Sequence, residues 1–152
     1  PPLPHGRALA LTLAVFLLFA AIVVPLGFLR GFVAWRPVGA GVWTTAAVVL
    51  VAPAFIEELI FRAPLLRWRD PRLAAVLLAA YVGAHPLNAW AWETELRRWF
   101  YDVDFLAVVA VLGACASWLV WRSGRLYPAI LFHWAVVVIW LHLLNGPLPA
   151  AA

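Results

Sequence analysis

The stretch ALALTLAVFLLFAAIVVPLGFL, Ala8 to Leu29, contains no charged residue and reaches the roughly 20 apolar residues needed to cross ~30 Å of hydrocarbon. It is too long for the apolar core of a secretory signal, so it reads as a membrane span. Four further stretches have the same character: Val42 to Leu66, Leu73 to Trp92, Phe105 to Trp121, and Tyr127 to Leu144. Short arginine-bearing connections separate them. The chain of 152 residues is 66% hydrophobic with a mean hydropathy of +0.96, far above the usage of an ordinary soluble domain. The expected fold is therefore all-α: a polytopic transmembrane helical bundle of about five spans, forming one domain over residues 1–152.

Every one of the 11 basic residues is an arginine, and apart from Arg62 they sit at segment ends. That is a topology signal rather than a nucleic-acid patch, so the lipid bilayer is the expected partner and nucleic acid is not. Five spans place Arg7, Arg67, Arg69, Arg72, Arg122 and Arg125 on one side and Arg30, Arg36, Arg97 and Arg98 on the other. The balance predicts a cytoplasmic amino terminus. Trp35, Trp43, Trp68, Trp90, Trp92, Trp99, Trp118 and Trp121 fall near span ends, where aromatic anchors meet headgroups; Trp134 and Trp140 lie inside the last span and are expected to pack against helices. The polar stretch ETELRRWFYDVD, Glu93 to Asp104, predicts an interfacial loop or short helix. Cys115 is the single cysteine, which rules out an intrachain disulfide framework, and its GACAS setting predicts close helix packing. With no methionine and a first residue of proline, a start or targeting segment is expected to have been removed.

Within the second span stands FIEELIFR, Phe55 to Arg62. A carboxylate at membrane depth costs ~3 kcal/mol or more unless it is neutralised, paired or turned to a polar cavity. Glu58 and Arg62 are four residues apart on one helical face, in the favourable acid-before-base order. Glu57 points about 100° away around the helix and finds only Ile60 and Phe61 ahead of it, so it is the unpaired acid. Pro53 and Pro64 bracket the pair and should bend or break the helix around it.

Two histidines occupy other spans, His85 in YVGAHPLNAW and His133 in ILFHWAVVVIW. At ~1.5 Å per residue from the arginine-bearing boundary, Glu57 lies about 15 Å deep, His85 about 20 Å and His133 about 12 Å. Three ionisable groups on three helices can therefore meet. His142, roughly 25 Å from the same boundary, and His5, in the proline-rich tail, are left out.

The EExxxR pattern of Glu57, Glu58 and Arg62, the aromatic-xxx-His of YVGAH, and the histidine after LYPAIL resemble the CPBP family of intramembrane proteases, which includes the eukaryotic CAAX prenyl endopeptidases. HPLNAW and LYPAILFHW look like a bacterial branch. The likeness covers roughly residues 45–144 and leaves the first span, 8–29, without motif support. It implies a glutamate-type intramembrane endopeptidase of a bacterial cytoplasmic (inner) membrane, acting without cofactor on a membrane-anchored protein or peptide. Glu57 with His85 would activate a water, His133 would help stabilise the oxyanion, and Glu58 with Arg62 would hold the helix and base in position.

Where the family often carries asparagine or aspartate four residues after the last histidine, this chain has Val137. Valine supplies no donor, and one lost oxyanion donor costs ~3 kcal/mol of transition-state stabilisation; Asn88 is the candidate substitute. Glu57, His85 and His133 also match a zinc-ligand set by residue type, although no HExxH helix is present. Two rival functions use the same groups: a transporter or proton-conducting protein, and a haem protein with His85 and His133 as axial ligands.

Overall fold

The computed structural model of the chain describes residues 1–91 and 97–146. Regular structure among them is entirely helical: α1 His5–Arg30, α2 Val42–Val49, a wide π-type turn Leu50–Phe55, α3 Ile56–Phe61, α4 Ala63–Arg67, α5 Pro71–Ala91, α6 Arg97–Phe100, α7 Val103–Ser123 and α8 Tyr127–Leu143. Four runs, His5–Arg30, Val42–Phe61, Pro71–Trp90 and Val103–Ser123, are long and apolar enough to cross a membrane, and α8 is a shorter apolar helix of ~25 Å. Residue 92 and residues 93–96, which begin the polar stretch, lie outside the described residues; the remainder of that stretch contains α6.

Local chemistry sets the helix ends. α1 stops at Gly31, whose φ of 75° is the left-handed conformation a glycine adopts without strain, and its N–H bonds back to the carbonyls of Gly27 and Phe28. The Asp102 side chain accepts from the Phe105 N–H at 2.9 Å and so caps the start of α7, which closes at Gly124 with φ 66°.

The second span, expected over Val42 to Leu66 with a bend or break around the carboxylates, is broken into α2, α3 and α4. Pro53 has no N–H for the ladder, and Ala52 leaves helical space at φ −136°, ψ 117°. The indole N–H of Trp134 donates to the Ala46 carbonyl at 2.8 Å, which also accepts from the Leu50 N–H, and so ties α8 to α2 just ahead of the break. A second break falls at Arg62, φ −121°, just ahead of Pro64. Glu57 and Glu58 thus stand in the first turn of a separate short helix.

α1 packs on α7 and α8, α5 on α7, α7 on α8, and α2 on α8. Phe19, Tyr81, Phe105, Leu112, Leu119 and Phe132 are central to the buried core. Outward, α1 shows Leu9, Leu13, Leu17, Leu18, Ile22 and Leu29, an apolar surface suited to acyl chains rather than water.

The connections gather at two ends. At one, the Leu3 N–H donates to the Ser123 carbonyl at 2.8 Å and Arg125 Nε donates to the Leu3 carbonyl at 2.9 Å; a side chain on Gly124 would meet Pro2 and Arg69. At the other, Arg30 pairs bidentately with Asp104 at 3.0 and 3.1 Å, and Arg36 fastens the α1–α2 loop to the end of α8 through the carbonyls of Leu141 and Gly146 and the Asn145 side chain. That alternation is what five crossings require. Trp35, Trp43, Trp68, Trp90 and Trp118 are exposed as anchors should be. Trp99 departs from the expectation: α6 packs on α5 and α7, which turns the Trp99 ring inward against Trp140 and Phe105 and buries its indole nitrogen.

Candidate active site

The break at Leu50–Phe55 turns α3 so that Glu58 is fully buried, together with Arg62. Arg62 Nη1 lies 3.3 Å from Glu58 Oε1, and the guanidinium carbon sits 3.9 Å from the centroid of the Tyr81 ring, within range of a desolvated cation–π contact. α7 makes room for this stack with a glycine. A Cβ built on Gly113 would come within 2.7 Å of Arg62 Nη2 and Leu78 Cδ1 and 2.9 Å of Tyr81 Cδ1, whereas one on Gly83 would touch nothing within 4 Å. Gly113→Ala is therefore expected to destabilise the protein by ~1–3 kcal/mol through overpacking, while Gly83→Ala is expected to be neutral or mildly stabilising. Thermal unfolding of both variants in detergent checks the contrast, and equal midpoints would contradict it.

His133 joins the two acids. Its Nδ1 lies 2.9 Å from Glu58 Oε1 and its Nε2 lies 4.0 Å from Glu57 Oε2. Since a carboxylate oxygen only accepts, Nδ1 carries the proton of this bond and Nε2 is the nitrogen turned toward Glu57. Glu58 therefore contacts both the arginine expected from its helical spacing and a histidine 75 residues further along the chain. His85 is oriented by its own helix: Nδ1 meets the Tyr81 carbonyl at 3.0 Å, which by the same reasoning leaves Nε2 with the lone pair. Tyr81 stands edge-on to both imidazoles, with centroids 5.1 Å from His85 and 6.2 Å from His133.

Glu57, Tyr81, His85, Asn88, His133 and Val137 all line one cavity of about 1090 Å³. Glu57 Oε2 is buried and has no hydrogen-bond partner among the described residues. Among the described residues no group of three or more His, Cys, Asp or Glu is disposed to hold a metal ion. Trp134 and Trp140 both pack, the first on α2 and the second on Trp99 and Phe105.

The sequence model of the type II CAAX prenyl endopeptidase Rce1-like family matches residues 39–139. The chain belongs to this family. No curated protein and no solved structure matches it. As an Rce1-like protein it is a multi-pass integral membrane protein of a peptidase family whose substrates are membrane-associated proteins. The matched segment runs from the α1–α2 loop into α8 and contains Glu57, Glu58, Arg62, His85, Asn88 and His133.

Sequence reasoning passed over two features of this Rce1-like chain. Tyr81 is the first residue of YVGAH, and only the fold shows that it covers Arg62. Gly113 opens the small-residue run that also holds Cys115, and its spacing carries no sign of the arginine it admits. His142, set aside on depth, does not line the cavity; it is buried with neither ring nitrogen hydrogen-bonded among the described residues.

Proposed function

We propose that the chain hydrolyses a peptide bond of a membrane-associated protein, with Glu57 as general base. The observation that carries this reading is the Glu57 Oε2 atom, buried and unpartnered on the cavity wall, 4.0 Å from His133 Nε2. That separation is too long for a direct hydrogen bond, yet one oxygen atom can lie within reach of both groups.

In the proposed reaction Glu57 takes a proton from water as the water oxygen bonds to the scissile carbonyl carbon. His133, its Nδ1 held by Glu58, directs an Nε2–H toward the developing oxyanion when protonated, and Asn88 on the same cavity wall supplies the donor that Val137 lacks. The tetrahedral intermediate then collapses: the C–N bond breaks and the leaving amine takes the proton from Glu57. His85, also on the cavity, orients the attacking water through Nε2. No step needs a metal, so purified protein in vesicles is expected to retain full cleavage of a membrane-anchored substrate after exhaustive chelation. Loss of turnover restored by zinc would reassign Glu57, His85 and His133 as ligands, and absence of product from every membrane-anchored substrate would favour a proton- or ion-relay role.

A further inference from the structure

The positive charge of the chain, +4 overall, is unevenly placed. In sequence, residues 30–41 and 93–104 balance four arginines with four acids. Residues 1–7, 67–72 and 122–126 hold six arginines, Arg7, Arg67, Arg69, Arg72, Arg122 and Arg125, against a single acid, Asp70. The fold brings these last three stretches together at one end of the bundle: Leu3 bonds to Ser123 and Arg125, and Gly124 lies against Pro2 and Arg69. Among the described residues none of the six arginines forms an ion pair. Asp70 is engaged with backbone, its carboxylate accepting from the Arg72 N–H at 2.8 Å.

Insertion accounts for the side of the membrane on which these arginines lie, yet it leaves them unneutralised in the folded bundle. Helix stability does not account for them either. Arg7 and Arg72 stand in the first turns of α1 and α5, neither of which contains an acid, and a cation there opposes the helix dipole. The setting is that of a headgroup layer. Leu66, Trp68 and Trp118 are exposed beside the arginines, and the Arg67 guanidinium lies 5.4 Å from the centroid of the Trp68 ring, so apolar surface and free charge adjoin as they do at a bilayer boundary. Arg69 reaches the neighbouring connection, its Nη2 lying 3.3 Å from where a Cβ on Gly124 would stand, next in sequence to Arg125. Two connections thus present guanidinium forks side by side, the donor geometry that matches phosphate oxygens.

We infer that this end of the bundle seats the phosphate of anionic phospholipids, chiefly on Arg67, Arg69 and Arg72 of the connection between α4 and α5. A phosphatidylcholine phosphate brings its own cation, whereas phosphatidylglycerol brings the net negative charge that the six arginines lack. Each arginine at an anionic bilayer surface favours binding by about fivefold. Because α4 follows Arg62 directly, a lipid held here also anchors the segment that carries Glu57 and Glu58.

The test is native mass spectrometry of the full chain released from micelles that contain equal amounts of phosphatidylglycerol and phosphatidylcholine. Bound phosphatidylglycerol is expected to exceed bound phosphatidylcholine by at least about tenfold. The triple variant Arg67→Gln, Arg69→Gln, Arg72→Gln is expected to lose most of that preference, and Arg97→Gln, Arg98→Gln, on the charge-balanced connection, to keep it. Replacing Arg67, Arg69 and Arg72 by lysine preserves the charge and is expected to retain most of the preference; an equal loss in the lysine and glutamine sets would assign these arginines to the fold and overturn the inference. No preference in the unsubstituted chain, or one that survives the glutamine set, would overturn it as well. Displacement of phosphatidylglycerol by millimolar inorganic phosphate would reassign the patch to soluble anions.

Discussion

Glu57→Gln is expected to lower peptide cleavage by a factor of roughly 10²–10⁴, the range that loss of a positioned general base produces, while the protein inserts and unfolds as the unsubstituted chain does. The two halves of this expectation have separate physical causes. Glutamine has the volume of glutamate and keeps a carbonyl oxygen, so packing on the cavity wall is preserved, but it cannot accept the proton of water. Stability is spared because Glu57 Oε2 makes no hydrogen bond among the described residues and its closest cationic candidate, His133 Nε2, is 4.0 Å away. Removing a charge that little else depends on costs the fold almost nothing. Cleavage in membranes, measured beside thermal unfolding in detergent, decides it. A folded variant that keeps more than about a tenth of the activity would end the assignment of Glu57 as base.

The bundle was legible in the sequence because the bilayer imposes so few solutions. A run such as Ala8 to Leu29 has no alternative to a helix in lipid, and the arginines between runs mark where each one ends. The pairing of Glu58 with Arg62 was legible for a similar reason, since Arg62 caps the helix that carries Glu58, and its N–H still bonds to the Glu58 carbonyl, which keeps the four-residue spacing on one face. The partnership of Glu58 with His133 was not. It depends on how far α3 is turned by the break at Ala52 and Pro53 relative to α8, a tertiary angle that leaves no periodic trace. Depth counting brought Glu57, His85 and His133 to similar levels, but it could not say which acid each imidazole would face. Trp99 failed for a related reason: position near a span end suggests an anchor, and only the packing of α6 on α5 and α7 turns its ring inward.

Glu58→Gln is expected to do the reverse of the first substitution, lowering stability by about 3 kcal/mol, at the low end of what breaking a buried pair costs, with a smaller loss of turnover per folded molecule. Glu58 and Arg62 have almost no solvent exposure, and Oε1 of Glu58 lies within 3.3 Å of Arg62 Nη1 and 2.9 Å of His133 Nδ1. Neutralising the acid leaves the guanidinium buried with the Tyr81 ring as its main remaining electrostatic partner, whereas the glutamine carbonyl can still accept from His133 and keep that ring in place. If the penalty is an uncompensated charge rather than a lost shape, removing the second charge should relieve it. The double variant Glu58→Gln, Arg62→Gln is accordingly expected to be more stable than Glu58→Gln alone, a coupling that a double-mutant cycle by thermal or denaturant unfolding measures directly. Additive losses in that cycle would show that the two side chains serve the fold independently, and the idea of an ion pair fastening α3 beneath His133 would have to be abandoned.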